Sequence, residues 1–336
     1  MNAAAIATRP TMRGLLLRAA LLVAAAAALL ALGCGDGGLA RTPMVDDPFS
    51  GGYPTYRDDD SGITAILGTP DLGVGTHRVA FTLSDREGLV RLPAVDVRTH
   101  YLDEGATAAE GARQVTSASF AEFPDGTRGL FIAPLEFDRA GEWGLEVSVP
   151  RGDGSTATLL LAFPVAEEAS APVVGEPAPP SVHRTARDVE SLHELTTGSA
   201  PVPALYEQTV AEALEAERPF LVVFASPAFC TNPLCGPQVE EAGELWEEYG
   251  DRMTFIHVDL YENPHEIQGD LDRAVRTPVL EEWGLHTDEW TFIVGADGLV
   301  QARFESFVPR DELAAALDEV IEAEATTARA PAAGAR

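Results

Sequence analysis

The feature that most constrains this chain is a change of rhythm near residue 166. Before it, apolar and polar residues alternate over short runs. His77–Leu83, Ala94–Tyr101 and Trp143–Val149 each carry one apolar face, and Thr156–Phe163 is a further apolar, β-branched run. Turn signals separate them at Asp125-Gly126, Ala140-Gly141 and Gly152-Asp153-Gly154. Short strands at this spacing predict an all-β sandwich over residues 61–166. Residues 167–185 then carry Val174-Gly175-Glu176-Pro177-Ala178-Pro179-Pro180 and read as a Pro-rich linker. From 186 to 325 strands alternate with helices. A helix is predicted over 206–217, with Leu205, Val210, Ala213 and Leu214 on one face. A buried strand follows at Phe220–Ala225, a helix at Cys235–Tyr249, and strands at 253–260, 290–294 and 299–304. A helix over 311–323 closes the region. This alternation predicts an α/β domain. Residues 326–336 read as a disordered tail.

The N-terminus sets the compartment. Arg9, Arg13 and Arg18 accompany an apolar run from Leu15 to Leu32, and small residues follow. These are the marks of a secretory signal over 1–33. The run ends Leu30-Ala31-Leu32-Gly33-Cys34, which resembles the bacterial lipobox. That resemblance implies a diacyl group on Cys34, a mature chain starting there, and anchoring to the cell membrane on its extracytoplasmic side. Residues 34–60, rich in Gly, Asp and Pro, would be the tether. The alternative is an uncleaved anchor, since about 18 apolar residues just span a bilayer. The whole chain carries −30; the signal holds three Arg and no acid, so the mature part is near −33, with no Lys anywhere. Such a surface repels phosphate backbones and argues against nucleic acid as a partner.

Only three cysteines occur: Cys34, Cys230 and Cys235. The last two lie in Phe224-Ala225-Ser226-Pro227-Ala228-Phe229-Cys230-Thr231-Asn232-Pro233-Leu234-Cys235-Gly236-Pro237, between a predicted buried strand and a predicted helix. A thiol at a helix N-terminus meets unpaired N–H groups and the positive end of the dipole, which favours thiolate. A second cysteine nearby can resolve a mixed disulfide.

With its preceding aromatic, its strand before and its helix after, this segment resembles the thioredoxin superfamily, especially its membrane-tethered extracytoplasmic thiol–disulfide oxidoreductases. The resemblance covers residues 186–325. It implies a thioredoxin-like fold, a redox-active Cys230/Cys235 pair as the catalytic residues, no cofactor, and envelope protein thiols or disulfides as partners. Phe229, Pro237, Trp290 and Thr291 would face the substrate. Here the pair is spaced by four residues where the family usually has two. Trp290 stands where the family has a cis-proline, and Phe224 where it has a buried acid. Cys230 matches the nucleophile by its aromatic neighbour, Cys235 by Cys-Gly-Pro, and both assignments stay open. A second resemblance is to Sco-type copper-binding assembly factors, which implies copper held by Cys230, Cys235 and His286. A third reading is a non-catalytic adaptor with a structural disulfide. In the N-terminal part, Phe137–Val147 resembles the last hairpin of small immunoglobulin-like extracytoplasmic modules, which implies an immunoglobulin-like sandwich.

Overall fold

The computed structural model describes residues 40–46, 52–102, 111–229 and 237–329. The signal segment, Cys34, Cys230, Cys235 and residues 330–336 lie outside the described residues.

The alternating runs fold as strands. These are β1 (Met44–Val45), β2 (Thr55–Asp58), β3 (Ile63–Leu67), β4 (Gly75–Asp85), β5 (Gly88–Leu89), β6 (Ala94–Tyr101), β7 (Gln114–Glu122), β8 (Gly129–Phe137), β9 (Gly141–Pro150) and β10 (Thr156–Val165). All ten pair antiparallel in one sheet, in the order β1-β2-β3-β4-β8-β7-β6-β9-β10, with β5 beside β4. The two ends of this sheet approach each other. Thr42 N donates to Leu160 O at 3.0 Å, Leu160 N donates to Thr42 Oγ1 at 2.9 Å, and Tyr56 OH donates to Ala162 O at 2.7 Å. One interior results. Val79, Phe81, Val97, Phe131, Phe137, Trp143, Leu145 and Leu161 share a single core. Phe137 and Trp143 meet edge-to-face at 5.1 Å, and Trp143 Nε1 donates to Arg139 O at 3.0 Å. The indole thus fills the core while its one polar atom stays paired.

The second sheet holds β11 (Phe220–Phe224), β12 (Thr254–Val258), β13 (Trp290–Val294) and β14 (Val300–Glu305), in the order β12-β11-β13-β14. β11 runs parallel to β12 and antiparallel to β13. It is central and buried on both faces, which is why it reads as an unbroken apolar run. Phe220, Val222 and Phe224 pack on one side with Trp283 and Phe292. Leu221 and Val223 pack on the other with Leu245, Leu313 and Leu317.

The described helices are α1 (Val210–Glu215), α2 (Gln238–Tyr249), α3 (Pro264–Ile267), α4 (Val279–Glu282) and α5 (Arg310–Arg329). Thr209 and Glu212 cap α1 reciprocally. Asp311 and Glu312 stand in the first turn of α5, where negative charge suits the dipole.

Two expectations are corrected. The N-terminal strands do not form a two-sheet immunoglobulin-like sandwich; they form one nearly closed, barrel-like sheet. Strand alternation reports which side chains face inward, and that pattern is the same for two stacked sheets and for one rolled sheet. Nor does the C-terminal part stand as a separate α/β thioredoxin-like domain. The described chain is mostly β, the second sheet has four strands, and the described residues belong to one compact unit. Of the three helices predicted, those over 235–249 and 311–323 form as α2 and α5. The helix expected over 206–217 shrinks to the six residues of α1. The connection from β12 to β13 carries two four-residue helices, each started or preceded by a proline and the first ended by Gln268 at φ 49°. Further, Thr55–Asp58, inside the expected tether, is a strand with Tyr56 buried in the barrel core.

The two sheets are joined by paired charges. Arg78 of β4 reaches both oxygens of Glu312, with Nε–Oε1 at 2.7 Å and Nη2–Oε2 at 2.9 Å. Asp71 accepts from Arg303 Nη2 at 2.9 Å, and also from Ser170 N and Ala171 N. Asp71 N in turn donates to Glu305 Oε2 at 3.1 Å. The Pro-rich stretch lies along β14, where Gly175 N donates to Val300 O and Ala178 N to Gly298 O.

Candidate functional site

Two neighbouring strand ends define the site. β11 leads into Ala225, Ser226 and the segment that carries the cysteines, and β12 leads into Asp259 beside it. Parallel neighbours deliver both chains to the same end of the sheet, where bound groups collect in sheets of this kind.

Asp259 is 4% exposed. Its Oδ2 accepts from Thr197 N at 2.8 Å and Thr197 Oγ1 at 3.1 Å, and its Oδ1 from Tyr261 N at 3.2 Å. Thr197 Oγ1 also lies 3.1 Å from Ser226 Oγ and accepts from Ala228 N at 3.0 Å. One threonine therefore ties the carboxyl to both residues flanking Pro227, two residues short of Cys230. Burial pushes the Asp259 carboxyl up to about 6, against the pull of its N–H and O–H donors. No described cation neutralises it, so a proton costs little to add or remove near neutral pH.

The layer beneath is fixed by His257, which is fully enclosed. Its Nε2 lies 3.0 Å from Ala225 O, and a carbonyl only accepts, so Nε2 carries the hydrogen. Its Nδ1 then accepts from Tyr206 OH at 2.8 Å. Burial holds this imidazole down to about 4, and it stays neutral. The ring is a strut that orients the backbone just before Ser226.

The other predicted positions divide. Phe229 is half-buried and meets Tyr261 edge-on at 5.8 Å, beside this site. Pro237 is half-buried and immediately precedes α2. Trp290 and Thr291 are fully enclosed in β13. Trp290 Nε1 donates to Thr287 Oγ1 at 2.9 Å and its ring stacks on Phe292, so neither side chain presents a surface to a substrate. His286 is exposed beside Arg276, Thr277 and Leu285. Among the described residues no group of His, Cys, Asp and Glu is arranged to hold a metal ion, and no helix is long and apolar enough to cross a membrane.

Asp259 was not singled out by sequence. It is one acid among 53 acidic residues, and its motif Val258-Asp259-Leu260 has no distinguishing spacing. Its only signal is a carboxylate closing an otherwise apolar strand. No protein-family model, no curated protein and no solved structure matches this chain.

Proposed function

We propose that this chain is a lipid-anchored protein of the extracytoplasmic face that exchanges thiols and disulfides through Cys230 and Cys235. The observation that carries this reading is Asp259. A buried carboxyl without a counter-cation, hydrogen-bonded into the backbone that runs into Cys230, is costly to keep, and such groups gather where protons are transferred. In the proposed step the Asp259 carboxylate takes the proton of one thiol. The resulting thiolate attacks a substrate disulfide sulfur. One S–S bond forms, one breaks, and the departing thiolate carries away the electron pair. The second cysteine then attacks the mixed disulfide, which releases the reduced substrate and leaves Cys230–Cys235 oxidised.

The compartment supports the reading. An export signal over residues 1–33, as the lipobox resemblance implies, would put the pair where disulfides persist. Partners would be thiols or disulfides of envelope proteins. The test is the reduction potential of the pair in the detergent-solubilised full chain, read by thiol trapping across a glutathione series. An exchanging pair titrates above about −300 mV, and a structural disulfide below it. Replacement of either cysteine by serine should abolish turnover of a disulfide substrate.

A further inference from the structure

A cavity of about 260 Å³ opens at the joint between the two sheets. It is lined by residues from the turn before β4 and its first strand positions, by Val173 and Val174 of the Pro-rich stretch, and by Arg303 and Glu305 of β14. Its volume is far above the 10–15 Å³ or so that one water needs, and approaches the roughly 300 Å³ of the smallest ligand pockets. Part of the wall is apolar. Val74 and Val174 are 41% and 60% exposed, and Leu72 and Val173 complete that part. Two exposed valines on one cavity differ from exposed apolar residues scattered singly, which need no explanation.

The rest of the wall carries cationic charge that is not fully met. Arg78 is matched by both oxygens of Glu312. Arg303 gives Nη2 to Asp71, but its Nη1 is buried with no acceptor. That nitrogen is sealed off, so Arg303 acts on the cavity through its charge and not by contact. Glu305, raised to about 8, holds its proton at neutral pH and adds no negative charge. The effect is felt at His77. Burial and then the Arg303 charge lower the proton affinity of its imidazole, and the Gly73 backbone and Asp71 oppose them less. The field at this ring is therefore positive, in a chain whose net charge is −30. His77 is half-buried and hydrogen-bonds the Gly73 backbone. Its ring has no nitrogen that is both sealed and unpaired, so its free nitrogen is open to a ligand.

We infer that this cavity binds a small carboxylate with a short apolar tail, its head group at the His77 ring and its tail against Val74 and Val174. The carboxylate accepts a hydrogen bond from the imidazole and meets the unbalanced charge of Arg303. The tail covers the two exposed valines. An anion at hydrogen-bond distance favours the charged ring, so binding raises the proton affinity of His77 and takes up a proton from solvent. No cysteine takes part, and the inference does not rest on the proposed thiol chemistry.

The test titrates butyrate into the detergent-solubilised full chain and follows the His77 ring resonances by NMR across pH 4–8. Butyrate should bind saturably, with a Kd in the millimolar range expected of so few atoms. At saturation the His77 titration midpoint should rise by about one pH unit, as a nearby opposite charge produces. Uncharged 1-butanol has the same tail and should bind about tenfold more weakly, since it lacks the charge that Arg303 and His77 attract. Val174→Asp changes an exposed position, so the variant should fold as the wild type does; its like charge should weaken butyrate about tenfold. Butyrate that never saturates, or that saturates without moving the His77 midpoint, would overturn the inference. So would 1-butanol that binds as tightly as butyrate, or Val174→Asp that binds butyrate as the wild type does.

Discussion

Two of the buried carboxyls at the second sheet, Glu305 in β14 and Asp259 just after β12, solve the same problem in opposite ways. Glu305 is 5% exposed and Asp259 4%. Burial raises both, Glu305 to about 8 and Asp259 to about 6. Glu305 sits where the two sheets meet, accepting from Thr287 Oγ1 at 2.6 Å and from Asp71 N, beside the Asp71–Arg303 ion pair. Every group around it belongs to the joint between β14 and the barrel. Asp259 sits at an open strand end, held by hydroxyls and amides alone, over a water-sized cavity. A carboxyl inside a joint is most simply a structural hydrogen-bonding group. Asp259 follows β12, beside the end of β11 that leads to the cysteine segment, and is the carboxyl to which the proposed function gives the thiol proton. Burial alone does not distinguish the two; the neighbours do.

The contrast breaks first at the joint. Replacing Arg303 by methionine leaves the Asp71 carboxylate buried without its cation, since the two side chains are only 12% and 11% exposed. Removing one partner of a buried pair costs about 3–5 kcal/mol, so the denaturant midpoint should fall steeply. The Asp71→Asn/Arg303→Met double variant should recover much of that loss. A midpoint unchanged in the single variant would mean the joint is not held by this pair.

The pH dependence comes next. The folded Glu305 carboxyl binds its proton more tightly than the unfolded one, so its contribution is fully present below about 4.5 and is lost as pH rises through about 8. The fall should approach 1.4 kcal/mol per pH unit within that window, and Glu305→Gln should flatten it. A curve unaffected by Glu305→Gln would place the titrating group elsewhere.

Asp259 should show the same sign over a narrower range, from about 3.8 to about 6. Asp259→Asn should therefore melt higher than the wild type above pH 6 and level with it near pH 4. If Asp259 takes the thiol proton, the same variant should lose the break near pH 6 in the rate of disulfide exchange. Glu305→Gln should leave that break in place. The smallest effect is expected at Thr197→Val, which leaves Ala228 N without its acceptor and costs about 1 kcal/mol. Faster amide hydrogen exchange at Ala228 would report it.

What the sequence made legible follows from how each structure is encoded. β4, β6, β9 and β10 are visible because alternation is a property of each strand alone. β11 is visible because a doubly buried strand must be apolar throughout. The rolling of the first sheet depends on Thr42 reaching Leu160, a contact across 118 residues that no local pattern carries. Tyr56 escaped because a four-residue strand between Pro54 and Asp59 looks like a spacer. Trp290 was assigned to a surface because it stands where the resembled family has a cis-proline, yet Thr287 pairs with its indole N–H, so that it is buried at little cost. The chemistry proposed for Cys230 and Cys235 comes from the resemblance over residues 186–325 and from the predicted strand and helix around them; both cysteines lie outside the described residues. Asp259 was not legible, since its importance lies in neighbours 33 and 62 residues away, Ser226 and Thr197.

The central claim is tested most directly by the reduction potential of Cys230–Cys235 in the full chain, measured at pH 5 and pH 8 for the wild type and Asp259→Asn. The potential should lie above about −300 mV, with exchange that accelerates between the two pH values in the wild type and far less in the variant. A pair that resists reduction at every glutathione ratio, or one whose exchange is indifferent to Asp259, would contradict it.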